Sequence, residues 1–363
     1  MTEPASWQTP IGDGCYMVGH RRPQSLLQCN TYLRTFGGRQ RLHWCVDPGS
    51  QVDYPILRKH LLEHVGELAA IRLFSINHQD PDVVGNLAFL TRESPKMAGL
   101  TSEDSWRLVR HLDLNPQKMY YTNKVGEETI KLPGGHRIQL VPTPFCHFRG
   151  AVAYYDPENQ ILFSGDLFGG LNKPGRMQLD AETADWPGIA QFHQIYMPSR
   201  SAVAYAIRQI RALRPRVKAI APQHGFILRG AVMEDFLDRL EKLPMGMDLL
   251  PRELDERFFK AYAEVFQEIL TLAGLQLGKD RVHRPLHELP KTHKLRRYIK
   301  VGAGDITLAR HGFVALPLLV EEITRGQSEQ FTALVKHAAL ELCLQHKIPL
   351  PQLGIGMDEW HDA

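Results

Sequence analysis

Four short segments carry side chains that could hold metal ions, and each follows an apolar stretch. In Ser-Ile-Asn-His-Gln-Asp-Pro-Asp-Val-Val-Gly-Asn-Leu, residues 75–87, His78, Asp80 and Asp82 occupy alternate positions just after Ile76. If that loop stays extended, alternate side chains point the same way and all three reach one cleft. The second segment, Thr143-Pro144-Phe145-Cys146-His147-Phe148, comes directly after the expected strand 138–141. The third, residues 161–170, delivers Asp166 into a glycine-flanked turn where backbone can approach closely. The fourth, Ala219-Ile220-Ala221-Pro222-Gln223-His224-Gly225, sets His224 after another apolar run. Taken singly, the first reads equally well as ordinary structure, with Asp82 as a helix cap and His78 and Asp80 as polar loop residues. A lone strand-end His or Asp such as the others is more often a turn or cap residue than a ligand. Four such segments contributing three His and three Asp point instead to a common site, since imidazole and carboxylate are ligands for zinc, iron and manganese.

The elements that must position these residues are legible as short apolar runs bounded by Gly, Pro or Asp. Strands are expected at 15–18, 30–35, 43–46, 70–76, 138–141, 152–156, 161–164 and 217–221. Apolar spacings of three and four predict helices at 54–65, 83–90, 105–111 and 199–213. Asp82 is placed to cap the second of these and Ser199 the last. Strands and helices mixed in this way imply sheets covered by helices.

The order HxDxD, PxxH, SGD and PxHG resembles the metallo-β-lactamase fold, an α/β sandwich with αββα layers and a two-metal site at one edge. It is most similar to the di-iron branch, the flavodiiron proteins and the stand-alone oxygen-binding di-iron proteins. Supporting matches are Gln28-Cys29-Asn30-Thr31-Tyr32-Leu33, Val46-Asp47-Pro48-Gly49 and Tyr196-Met197-Pro198-Ser199, so the resemblance covers roughly residues 10–245. Hydrolases of this fold carry HxHxDH in the first segment, whereas this chain has Asp80 at the second position and Val83 at the last. A carboxylate in place of imidazole hardens the ligand set toward iron or manganese and away from zinc. Val83 cannot bind metal, which would leave one ion with fewer protein ligands and an open, apolar-walled position suited to a small neutral ligand. The resemblance implies that His78, Asp80 and His147 hold one metal, Asp82 and His224 the other, and Asp166 bridges them at a separation of about 3.5–4 Å. The implied cofactor is two iron ions, ferrous or ferric, with an oxo, hydroxo or peroxo bridge; zinc and manganese are the alternatives.

The chain has 363 residues, which at ~150 residues per domain suggests two domains or one with an extension. The formal charge is only +3, too little field to make nucleic acid or an anionic membrane the expected partner. Cys15, Cys29, Cys45, Cys146 and Cys343 form no CxxC pair, so neither a disulfide framework nor a cysteine-rich zinc site is expected, and a reducing cytoplasm fits. The N-terminus lacks a signal-peptide pattern, and no run approaches the ~20 apolar residues of a membrane span. A boundary is expected near residue 250, dividing a di-iron domain (1–250) from a mostly helical C-terminal module (251–363). In that module residues 253–272, 313–323 and 331–344 read as amphipathic helices, and the stripe on the first is a core or homodimer face. Residues 279–300, with eight Lys or Arg, read as a solvated linker or surface face.

Flavodiiron enzymes carry a flavodoxin-like domain after their metal domain. The phosphate loop that would open one is not found; Lys300-Val301-Gly302-Ala303-Gly304 is too short. With no in-chain flavin, turnover needs an external electron donor. The leading reading is therefore an O2-binding di-iron protein, forming a peroxo-bridged species, that serves as an oxygen or iron sensor with a signalling partner, as a carrier, or as a slow oxygen reductase. Two alternatives stand beside it: a metal-dependent hydrolase of the same fold, and a degenerate non-catalytic scaffold. Cys146, Phe192 and His193 are expected near the site with no assigned role.

Overall fold

The computed structural model describes residues 9–38, 41–112, 114, 116–124, 129–249, 258–302 and 304–353. Two mixed sheets lie face to face. The first runs in chain order through β1 (Thr9–Gly12), β2 (Cys15–Met17), β3 (Tyr32–Phe36), β4 (Leu42–Val46), β5 (Ile71–Ser75), β6 (Ala98–Thr101) and β7 (Lys118–Tyr121). Its pairs are antiparallel as far as β4 and parallel from β4 to β7. The second contains β8 (Thr129–Lys131), β9 (Arg137–Pro142), β10 (Val152–Asp156), β11 (Ile161–Gly165), β12 (Ala219–Pro222) and β13 (Leu228–Arg229), ordered from β13 back to β8. Here β11 and β12 run parallel and the other pairs antiparallel.

Period-two alternation sorts the side chains. Ile161 and Phe163 of β11 join Tyr32, Trp44, Tyr154 and Ala221 in an apolar cluster between the sheets, while Leu162 faces the outer layer. Both faces of such a strand are buried, which is why it reads as an unbroken apolar run. Trp44 sits edge-on to Phe163 at 5.3 Å and to Tyr154 at 6.1 Å, a favourable aromatic geometry. Outside the first sheet lie α1 (Tyr54–Val65), α2 (Pro81–Val84), α3 (Leu87–Glu93) and α4 (Glu103–Val109), burying Leu57, Leu61, Val83, Leu87 and Leu90 against Leu33, Cys45 and Phe74. Outside the second lie α5 (Trp186–Tyr196), α6 (Arg200–Ala212) and α7 (Gly230–Leu240), with Phe192, Ile207 and Phe236 over Leu162 and Ile220. The result is an αββα sandwich, the metallo-β-lactamase-like architecture the sequence motifs imply.

The C-terminal region contains α8 (Phe259–Leu277), α9 (Lys279–Glu288), β14 (Ile299–Val301), β15 (Ile306–Leu308), α10 (Gly312–Thr324) and α11 (Glu329–Gln345). Helix α8 is its centre, touching α9, α10, α11 and β15, and α11 packs on α5. No helix among the described residues is long and apolar enough to cross a membrane.

Several local expectations change. The helix expected at 83–90 is broken into α2 and α3, because Asn86 is held to the 48–49 turn: its Nδ2 donates to the Pro48 carbonyl and its N–H to Gly49. Asp82 caps nothing; it lies in the first turn of α2, whose N-cap position is Asp80. Ser199 does cap α6, accepting from the Ala202 N–H. The basic stretch from Lys279 is not a linker, since Val282 and Leu286 of α9 are buried in the core. The Gly302 region is the turn of the β14–β15 hairpin, with the Gly302 N–H donating to Asp305. The start of the helix expected from Glu253 and the boundary near residue 250 fall outside the described residues.

Candidate metal centre

The chain leaves β5, β9, β11 and β12 at one edge of the sandwich, and all six candidate ligands gather there. His147 Nε2 lies 3.0 Å from Asp80 Oδ2 and 3.1 Å from Asp166 Oδ2. His78 Nε2 is 3.6 and 3.7 Å from the same two oxygens. On the far side, His224 Nε2 stands 3.3 Å from both Asp82 Oδ2 and Asp166 Oδ1. Asp166 therefore turns one oxygen to the His78–His147 pair and the other to His224. His78, Asp166 and His224 are buried; Asp80, Asp82 and His147 are partly exposed.

Neighbouring groups fix these orientations. Asn77 is the hub: its N–H donates to Asp47 Oδ1 at 2.8 Å, its Nδ2 to the Val152 carbonyl at 2.5 Å, and its Oδ1 accepts from His78 Nδ1 at 3.2 Å. That bond turns His78 Nε2 toward the carboxylates. The Asn77 carboxamide lies against Gly165, whose φ is +61° and where a Cβ would come within 2.0 Å of Asn77 Cγ. The motif glycine before Asp166 is thus required by both conformation and space. His224 Nδ1 donates to the Gln28 carbonyl at 2.7 Å, directing Nε2 inward. Asp82 reaches the site from a helical turn, not from an extended loop, and Gln223 Nε2 donates to its backbone carbonyl at 3.1 Å.

His193 and Phe192 lie within α5. His193 Nδ1 donates to the Ile189 carbonyl and its Nε2 accepts the Phe168 N–H at 3.0 Å, so it is a neutral ring that braces the turn after Asp166. Burial holds it down at about 4. The Phe192 ring lies 5.3 Å from that of His224. Cys146 is buried, and burial pushes its thiol up to about 12, leaving it inert. One residue escaped the sequence reading: Cys29, whose sulfur is 3.9 Å from Asp82 Oδ2. Its only signal in the sequence is its place beside Asn30 at the entry to β3.

The donor set fits a pair of divalent ions. His78 Nε2 and Asp166 Oδ1 are buried without a hydrogen-bond partner. A buried polar atom left so costs about 1–3 kcal/mol, and both face the space among three imidazoles and three carboxylates. Without an ion, protons take the cationic role. Burial works to lower the His147 pKa, but its hydrogen bonds to Asp166 and Asp80 outweigh this and raise it to about 10. His224 and His78 rise too, against burial, through Asp166 with Asp82 and Asp80 respectively. Burial would raise Asp166, yet the three imidazoles hold it well below the usual carboxylate range. A metal ion must displace these protons. Divalent-ion affinity is therefore expected to rise about tenfold per pH unit per displaced proton between pH 6 and 9, with proton release visible in weakly buffered solution. Affinity flat across that range would contradict the expectation.

An αββα sandwich with a His/Asp cluster at its strand ends defines a metallo-β-lactamase-like domain. Within that class the chain belongs to the ODP family of beta-lactamase domains, whose sequence pattern matches residues 27–225. The curated relatives include the type A flavoprotein fprA of Rhodobacter capsulatus, 30% identical over 184 residues, which are 50% of this chain and 41% of that protein. The chain thus matches less than half the length of that relative. Among solved structures, the peroxy diiron species of the chemotaxis sensor ODP is 26% identical with a TM-score of 0.53, covering 65% of this chain and 93% of that one. The flavodiiron protein from Giardia intestinalis shares the fold at 12% identity, with a TM-score of 0.59 over 95% of this chain and 98% of that one.

Proposed function

We propose that this chain is a non-heme di-iron protein that binds O2 and acts as an oxygen sensor or carrier, or as a slow oxygen reductase fed by an external electron donor. The observation that carries the reading is the division of Asp166, one oxygen toward His78 and His147 and the other toward His224. Likeness to the chemotaxis sensor ODP, solved as a peroxy diiron species, supports it. His78, Asp80 and His147 would hold one ion, Asp82 and His224 the other, and Asp166 both. Two ferrous ions held there would supply the electrons that O2 takes up on binding, and the three carboxylates of Asp80, Asp82 and Asp166 would offset most of their charge. The protein's own part is orientation and exclusion: Asn77 and the Gln28 carbonyl fix two imidazoles, and Phe192 covers the His224 face.

Anaerobic reconstitution with ferrous iron, metal counting and one addition of O2 test this reading. Two irons per chain and a long-lived visible charge-transfer band are expected. Selective retention of zinc with no response to O2, together with esterase or phosphodiesterase activity, would replace the reading with that of a hydrolase.

A further inference from the structure

Cys29 occupies the connection entering β3, and both its neighbours are tied to the His224 loop. The Gln28 carbonyl accepts from His224 Nδ1 at 2.7 Å, and the Asn30 N–H donates to the Gln223 carbonyl at 2.5 Å. The backbone on either side of Cys29 is thereby clamped to the loop that carries His224. Its sulfur, an Asp82 oxygen and a His224 nitrogen all lie within 4.8 Å of one another. A fourth donor faces them: Asp166 Oδ1, buried and without a hydrogen-bond partner, 3.3 Å from His224 Nε2. A tetrahedral ion with bonds of about 2.0 Å to oxygen and nitrogen and about 2.3 Å to sulfur separates its donors by roughly 3.3–3.7 Å. The separations here are 3.3 Å from His224 to each carboxylate and 3.9 Å from sulfur to Asp82.

Resting on the two-ion reading, we infer that Cys29 is a thiolate ligand of the second ion, completing a set of Cys29, Asp82, His224 and the shared Asp166. On binding, the S–H bond breaks, the sulfur–metal bond forms and the proton passes to water. The two halves of the centre then differ: His78, Asp80 and His147 offer nitrogen and oxygen alone, while the second position gains a soft donor and holds zinc or cobalt more tightly. The coordination place expected to stand open for want of a ligand at Val83 is then supplied from the connection entering β3. Val83 itself is buried in the apolar layer over the first sheet.

The test loads the full chain with Co2+ alone, counts the metal, and records both the near-ultraviolet sulfur-to-cobalt absorption and X-ray absorption at the cobalt edge. The unaltered protein is expected to hold two ions, show the charge-transfer band, and give a sulfur neighbour at about 2.3 Å. Cys29→Ser should lose the band and bind the second ion at least tenfold more weakly, while Cys146→Ser keeps both. Two cobalt ions without a sulfur neighbour, or a band that survives in Cys29→Ser, overturns the inference and leaves the two-ion reading standing. If the unaltered protein retains no cobalt, that reading falls and the inference falls with it.

Discussion

Asp166→Asn is expected to reduce bound metal from two ions per chain to at most one, with affinity for the lost ion falling at least 100-fold. Among the described residues its carboxylate alone faces both halves of the candidate centre, with Oδ2 3.1 Å from His147 and Oδ1 3.3 Å from His224. The amide is nearly the same size, so the sandwich should be kept; what disappears is the negative charge and one of the two acceptor oxygens. Trimming a supporting partner of a ligand costs about 10–100-fold in affinity, and removing a shared ligand should cost more. Metal counting after dialysis and titration with Co2+ give the readout. Two tightly held ions in this variant would mean that Asp166 does not join the halves.

Gly165→Ala should damage the molecule from the same turn by another route. A Cβ there falls 2.0–2.4 Å from the Asn77 carboxamide atoms on a backbone with φ of +61°. The clash cannot be relieved by rotating Asn77, because its Nδ2 is bonded to Val152 and its Oδ1 to His78. A loss on the order of 3 kcal/mol or more in unfolding free energy is expected, from strain and a displaced buried amide together. Gly66→Ala separates the two causes: its φ is +76°, yet nothing lies within 4 Å of the added carbon. That variant should lose only about 1 kcal/mol. Denaturant midpoints of the pair settle the matter, and equal losses would remove the steric argument.

The sequence showed this centre unevenly. Asp166 and His224 were legible because each follows an apolar run whose two buried faces mark it as an interior strand, so a polar residue at its end had few reasons to be there. His147 follows a strand with one face half-exposed and was legible through its PxxH spacing. Asp82 was found by type but for a mistaken reason, since it arrives through a helical turn opened by Pro81 rather than along an extended loop. Cys29 was invisible: it approaches Asp82 from the connection entering β3, and a contact across 53 residues leaves no local spacing to read. Helix α5 was missed because Pro187 and Gly188 look like loop punctuation. Pro187 lies in the first turn, where a missing N–H is harmless, and Gly188 lets the helix pass the Leu171 carbonyl, 2.1 Å from where a Cβ would sit. The strands β7 and β8 lie at sheet edges and are short and half-exposed, so alternation had little to act on.

Helix α5 also has a back. Phe192 meets the His224 ring, while the same helix is packed by α11, and one apolar cluster runs from Leu162 of β11 through Ile189 and Phe266 to Leu340. Segments sharing a continuous core open together rather than one at a time. The C-terminal helices, which supply none of the candidate ligands, are therefore expected to open together with the second sheet as one unit, as hydrogen exchange would show. Free energy added by a ligand at the strand ends is distributed through that unit by mass action, and the resistance of α11 to local opening rises with it.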